Sequence, residues 1–170
     1  MEIVAKTVVE NVIKRAVKCR HASQLTEAMA ILLDLHKTHP HDARVNYELA
    51  CTYEGQGMGE DAVGFYERAI ESGLQGADLR GCLLGLGSTY RCLEQYSDSV
   101  RTLQRGLALF PDAEEFKVFL ALSLYNLGQN REAVSMLLTH IAEYTRHAET
   151  KNFRRAILQY GDQPDPPYDH

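Results

Sequence analysis

Residues 83–90 read Leu83-Leu84-Gly85-Leu86-Gly87-Ser88-Thr89-Tyr90, and the two readings of this stretch lead to different proteins. A glycine-rich run ending in hydroxyls can be a loop that wraps a phosphate, or it can be part of a helix. The phosphate loop G-x-x-x-x-G-K-[ST] needs a lysine ahead of the hydroxyl, so that its cation meets the phosphates while backbone N–H groups surround them. Here Gly87 stands directly before Ser88. The dinucleotide form G-x-G-x-x-G needs a preceding strand and a third glycine at the place that Tyr90 holds, and neither is present. The helix reading therefore depends on whether the rest of the chain repeats the pattern.

It does. Tyr47 to Tyr53, Leu84 to Tyr90 and Val118 to Leu124 align at steps of 37 and 34 residues. Each block has a leucine, then a tiny residue (Ala50, Gly87, Ala121), then a large one three positions on (Tyr53, Tyr90, Leu124). Twelve residues after each tiny one comes another small residue (Ala62, Ser99, Ala133), four further Tyr66, Leu103 and Leu137, and three further Ala69, Gly106 and His140. An earlier, degenerate copy carries Ala16, Cys19, Ala28, Leu32 and Leu35 and closes at Pro40. Pro111 closes the third copy 71 residues later, the sum of the two steps, so the prolines obey the ruler independently of the apolar pattern. The three extra residues fall in the glycine-bearing connection Ser72 to Gly76.

Apolar residues recur at helical spacing within each block, as in Phe116, Phe119, Leu120, Leu124 and Leu127, which predicts amphipathic helices. The connections Gly55-Gln56-Gly57-Met58-Gly59, Glu94-Gln95-Tyr96 and Gly128-Gln129-Asn130 read as stops followed by fresh starts. Paired antiparallel helices result, and small residues at Ala50 and Ala62, or Gly87 and Ser99, let the two helices of a pair approach closely. A single pair cannot bury its own apolar face, so successive pairs must stack.

At this point the pattern resembles the tetratricopeptide repeat family, whose leucine, small, aromatic, small, aromatic and proline landmarks it matches over about residues 9–147. The family's usual tryptophan is missing, with Asn46, Leu83 and Lys117 in its place. The block from Tyr47 to Thr145 is also similar to small bacterial repeat proteins of uncharacterised function. The fold implied is all-α: a right-handed α-solenoid of antiparallel helix pairs. Residues 9–42, 43–79, 80–113 and 114–147 form four repeats, 148–160 a C-terminal capping helix with Phe153, Ala156, Ile157 and Tyr160 on its inner face, and 161–170 a flexible, acidic, proline-rich tail. Residues 1–160 are expected to make one domain.

Composition limits the chemistry. The formal net charge of −5 disfavours nucleic acid, whose phosphates call for a basic face. No apolar run approaches the roughly 18 residues of a membrane span, and the start Met-Glu-Ile-Val-Ala-Lys is charged where a secretory signal is apolar, so a cytoplasmic location is expected. Cys19, Cys51, Cys82 and Cys92 form no CxxC pair and read as small apolar residues. His36, His39 and His41 surround Pro40, which interrupts any helix, and read as a solvated turn. No nucleophile–base pair, metal-spaced set or paired carboxylates stand out, so neither catalysis nor a cofactor is expected.

In the resembled family the first helix of each pair lines the concave side, which usually takes a peptide or helix from a partner. Carried over, this places Arg44, Tyr47, Cys51 and Glu54 in one stripe, Leu84, Ser88, Arg91 and Cys92 in the next, and Val118, Leu122, Tyr125 and Asn126 in a third. The first copy would add Ile13, Val17, Arg20 and His21. Within each stripe three-and-four spacing keeps the residues on one helix face. The lysine, asparagine and arginine with which one branch of the family grips a terminal carboxylate are absent here: those places hold Ile13, Val17, Glu48, Gly81 and Gly85 in one register, and Tyr47, Cys51, Gly85, Glu115 and Phe119 in the next. Gly81 and Gly85 match no landmark and have two readings: close packing against the preceding repeat, or bare backbone left for a ligand. The resemblance thus implies a non-catalytic interaction module, monomeric or weakly self-associating, that binds a protein or peptide. The alternative is a structural or self-assembling unit whose groove holds its own tail or a second copy.

Overall fold

A computed structural model describes residues 2–164, with side chains from Thr7 onward. Among these residues there is no strand, and ten helices follow one another: α1 (Glu2–His21), α2 (Leu25–Thr38), α3 (Ala43–Gly55), α4 (Gly59–Glu71), α5 (Gly76–Cys92), α6 (Tyr96–Leu109), α7 (Glu115–Asn126), α8 (Asn130–Tyr144), α9 (Ala148–Asn152) and α10 (Arg154–Asp162). The chain forms two compact units, residues 1–93 and 94–170. LLGLGSTY lies inside α5, so the stretch is helix.

The turns show why the helices begin and end where they do. Ser23, Gly57, Glu94 and Gly128 all adopt left-handed backbone, with φ between 61° and 79°. They stand 34, 37 and 34 residues apart, the spacing of the side-chain ruler. In three of these turns the following amide bonds back five residues: Gln24 to the Cys19 carbonyl, Met58 to Tyr53 and Gln129 to Leu124, at 2.9–3.0 Å. This closure satisfies carbonyls that the helix end would otherwise orphan. The α2–α3 turn is fastened differently. Pro40 cannot continue α2, Asp42 caps α3 by accepting from the Arg44 and Val45 amides, and buried Asn46 donates to the Pro40 and Asp42 carbonyls at 3.0 and 2.9 Å.

In residues 1–93, Ile13, Ala16, Met29, Leu32, Val45 and Leu49 make one core cluster across α1, α2 and α3. A second joins Ala50, Ala62, Tyr66, Ala69, Leu74, Cys82, Leu86 and Tyr90 across α3, α4 and α5. Ala16 and Ala28, and Ala50 and Ala62, are fully buried where their helices pair. The Tyr90 hydroxyl reaches back to Glu67 on α4 at 2.6 Å. In residues 94–170 the core is Leu103, Phe116, Leu120, Ala121, Leu124, Ala133 and Ala142, with a buried Ser99–Ser123 hydroxyl pair at 2.7 Å between α6 and α7.

The cap departs from the expected single helix. It is two helices, α9 and α10, divided at Phe153, and α10 runs on through Gly161 and Asp162, past the expected end of the cap at Tyr160. Phe153 and Tyr160 face solvent, while Gly161 sits beside Thr139, Ser135 and Leu138 of α8. The spacing 153, 156, 157, 160 marks a helix face but not which neighbour covers it; the residue without a side chain made the close approach instead. The rest of the predicted tail, 165–170, lies outside the described residues.

Left-handed backbone at a non-glycine residue costs roughly 1–2 kcal/mol, so Gly57→Ala should destabilise the protein by about 1 kcal/mol. Ser23→Gly should raise the midpoint of thermal unfolding followed by far-UV circular dichroism.

Candidate binding face

The expected stripe on α3 is positioned by the Asp42 cap, which starts the helix so that positions 44, 47, 51 and 54 share a side. In residues 1–93 this side lies against α1 and α5, and most of its polar groups are engaged there. The Arg44 guanidinium stands between Glu10 of α1 at 3.2 Å and Asp78 of α5 at 3.4 Å. Tyr47 is half-buried, its ring 6.3 Å from that of Tyr66 and its hydroxyl against Gly81. The Tyr66 hydroxyl donates to Glu54 at 2.5 Å and lies 3.7 Å from the Cys51 thiol. Leu84, Ser88 and Arg91 on α5 are half-buried, and Cys92 is exposed.

Gly81 and Gly85 take the packing role. A Cβ on Gly81 would meet the Tyr47 hydroxyl, and one on Gly85 would stand 2.5 Å from the Tyr66 hydroxyl and 2.8 Å from its Cζ. Gly106, in the other unit, faces the Phe116 ring in the same way. Bare backbone thus receives an aromatic ring of a neighbouring helix.

Burial decides the electrostatics around Cys51. Loss of solvent pushes its thiol up to about 11, against which Arg20 acts in part. Burial, with Cys51 beside them, also holds the Tyr47 and Tyr66 phenols well above their ordinary value. These protons are bound more tightly in the folded state. The stability that the Cys51 thiol contributes is complete below its ordinary value of 9.0 and is lost as pH rises through about 11. Next to this cluster Arg20 pairs with Glu48 at 2.8 Å, joining α1 to α3.

In residues 94–170 the stripe on α7 is different. Val118, Leu122 and Tyr125 are 38%, 40% and 62% exposed, with Asn126 exposed beside them. Away from this stripe, Glu114 lies 3.1 Å from Lys117 and 2.9 Å from His140 Nδ1. The Tyr144 hydroxyl and Lys117 hold its carboxyl below the usual range.

The first-copy positions need correction. Ile13 is core rather than surface, Val17 and Arg20 are half-buried, and only His21 is exposed. Of the three histidines, His36 packs edge-on against Phe65 at 5.5 Å, and His39 lies 2.8 Å from the Thr38 hydroxyl. Sequence reasoning missed Glu10, Asp78, Glu48 and Tyr66. The one available signal was Glu48, a charged residue flanked by the apolar landmarks Tyr47 and Leu49, which implies a buried partner.

Helix hairpins repeated at near-constant spacing and packed only on their neighbours define an α-helical repeat protein, a class built for binding other proteins. The sequence profile of the tetratrico peptide repeat family matches residues 43–163, and the chain belongs to that family. No curated protein is similar enough in sequence to match. Among solved structures, the chain is similar to YrrB, a TPR protein with an unusual peptide-binding site, at 20% identity and a TM-score of 0.71, covering 95% of this chain and 84% of that one. It also resembles the MamA protein (17% identity, TM-score 0.69, 91% and 88% covered) and Pseudomonas aeruginosa PilF (14%, 0.63, 96% and 79%). At these identities the likeness is one of fold.

Gly85→Ala should lower stability by about 1–3 kcal/mol through overpacking against Tyr66, despite the gain of roughly 1 kcal/mol that alanine brings to a helix interior. Gly106→Ala should do the same; urea unfolding measures both. Alkylation at pH 8, read by mass spectrometry, should label Cys92 alone, leaving Cys19, Cys51 and Cys82 until the protein is unfolded. Unfolding midpoints should fall between pH 9 and 11.

Proposed function

We propose that the protein is a non-catalytic interaction module that receives a protein segment on the face made by the first helices of its pairs. In residues 1–93 this face comprises Arg44, Tyr47, Cys51, Glu54, Leu84, Ser88 and Arg91; in residues 94–170 it comprises Val118, Leu122, Tyr125 and Asn126. One observation carries the reading: α7 turns three large apolar side chains to solvent at spacing i, i+4, i+7. That spacing suits a partner helix or strand laid across the face. A peptide-binding site in the structurally similar YrrB supports the same use of the fold. On α3 the polar groups already have partners within the chain, so that part of the face offers shape and apolar area more than free charge. Of the three, Tyr125 is of the residue type at which alanine substitution most often costs binding heavily.

Leu122→Asp/Tyr125→Ala should weaken partner binding at least tenfold with an unchanged circular dichroism spectrum. A photo-crosslinking residue at position 122 should capture the partner, and one at the exposed position 101 should not. Capture from 101 alone would move the binding surface elsewhere. Tyr47→Ala is a poor probe because it removes packing against Gly81.

A further inference from the structure

Away from the α7 stripe, residues 94–170 hold a cavity of about 270 Å³ beside α8. Its apolar walls are Leu107 of α6 and Met136 of α8, both half-buried. Lys117 of α7 and Glu132, Thr139, His140 and Glu143 of α8 supply the polar lining. Pockets that enclose small molecules run from roughly 300 to 1,000 Å³. This one falls just short of that range, a size that suits a large side chain entering from a partner.

The charges around it are unevenly engaged. The Lys117 ammonium is held by Glu114 at 3.1 Å and lies 5.1 Å from the centre of the Tyr144 ring. His140 Nδ1 faces the same Glu114 carboxylate at 2.9 Å. These groups already have partners within the chain. Glu132 and Glu143 are exposed, and neither forms an ion pair or hydrogen bond among the described residues. They stand eleven residues apart, close to three full turns, so they share one side of α8 about 16 Å from each other, with Met136 between them. An apolar hollow between two unengaged carboxylates, on a chain of net charge −5, is complementary to a segment with a cation at each end and an apolar residue in the middle.

We propose that this cavity is a second binding site, for an extended segment of a partner protein with the pattern R-x-Φ-x-R, where Φ is a large apolar residue. In an extended chain alternate side chains point the same way, and four residues span about 13 Å. The middle side chain enters between Leu107 and Met136. The two arginines, whose long stems cover the remaining distance, reach Glu132 and Glu143, and each guanidinium can take a carboxylate with two parallel hydrogen bonds. Exposed ion pairs contribute little singly, so recognition requires the three contacts together. The site is separate from Val118, Leu122 and Tyr125 and does not rest on the use proposed for them.

The probe is a short fluorescent peptide containing Arg-Ser-Leu-Ser-Arg, and its anisotropy is read on the full chain. Glu132→Lys/Glu143→Lys should weaken its binding about tenfold and should gain binding of the peptide in which both arginines are replaced by glutamate. A peptide of the same composition with its arginines adjacent should bind several-fold more weakly than the probe. In a nuclear magnetic resonance titration the amides of 132–143 should shift and those of 122–126 should not. Both glutamates are exposed, so the circular dichroism spectrum of the variant should not change. Failure of the probe to bind, equal binding to the charge-reversed variant, or equal binding of the rearranged peptide would overturn the proposal. Self-association of the protein that disappears in Glu132→Lys/Glu143→Lys would also overturn it, by giving the cavity to a second copy.

Discussion

What registers one helix hairpin on the next is an aromatic ring seated on backbone that carries no side chain. Tyr47 lies on Gly81, Tyr66 on Gly85 and Phe116 on Gly106. An added Cβ would crowd the tyrosine hydroxyl or the phenylalanine ring edge at each of these places, so the close approach depends on the missing side chain. The left-handed turns at Ser23, Gly57, Glu94 and Gly128 then repeat this approach at nearly equal intervals. Glycines that cost helix propensity thus serve packing.

The same closeness determines what the surface offers. Where α1, α3 and α5 lie side by side, polar groups on neighbouring helices come within bonding distance, and they pair: Glu10 with Arg44, Arg44 with Asp78, Arg20 with Glu48. Glu48 is almost wholly buried, and removal of Arg20 would strand its charge. These pairs join adjacent helices and leave few charges available to a partner. The stripe on α7 instead keeps apolar area exposed.

The family's missing tryptophan is replaced in three separate ways. Buried Asn46 bonds the carbonyls of the preceding turn, Leu83 is core, and Lys117 reaches both Glu114 and the Tyr144 ring, 5.1 Å away. A repeat fold accepts such variety because each hairpin has only to fit its immediate neighbours.

The sequence by itself determined the helical period, the hairpin spacing, the small residues at Ala50 and Ala62, and the family. These depend on local pattern: a 3.6-residue period and a repeat of 34 to 37 residues are visible without knowing what touches what. The placement of the stripes on α3, α5 and α7 followed from the same periodicity together with the family resemblance. Only the tertiary structure decided that Ile13 is core, that Arg44 is held between two carboxylates, that Gly81 and Gly85 receive tyrosines, and that the cap breaks at Phe153 with its aromatic residues outward. The physical reason is that periodicity identifies a helix face, whereas burial, ion pairing and close approach depend on which residue of another helix stands opposite. That partner is set by three-dimensional packing and leaves no mark at a fixed distance along the chain.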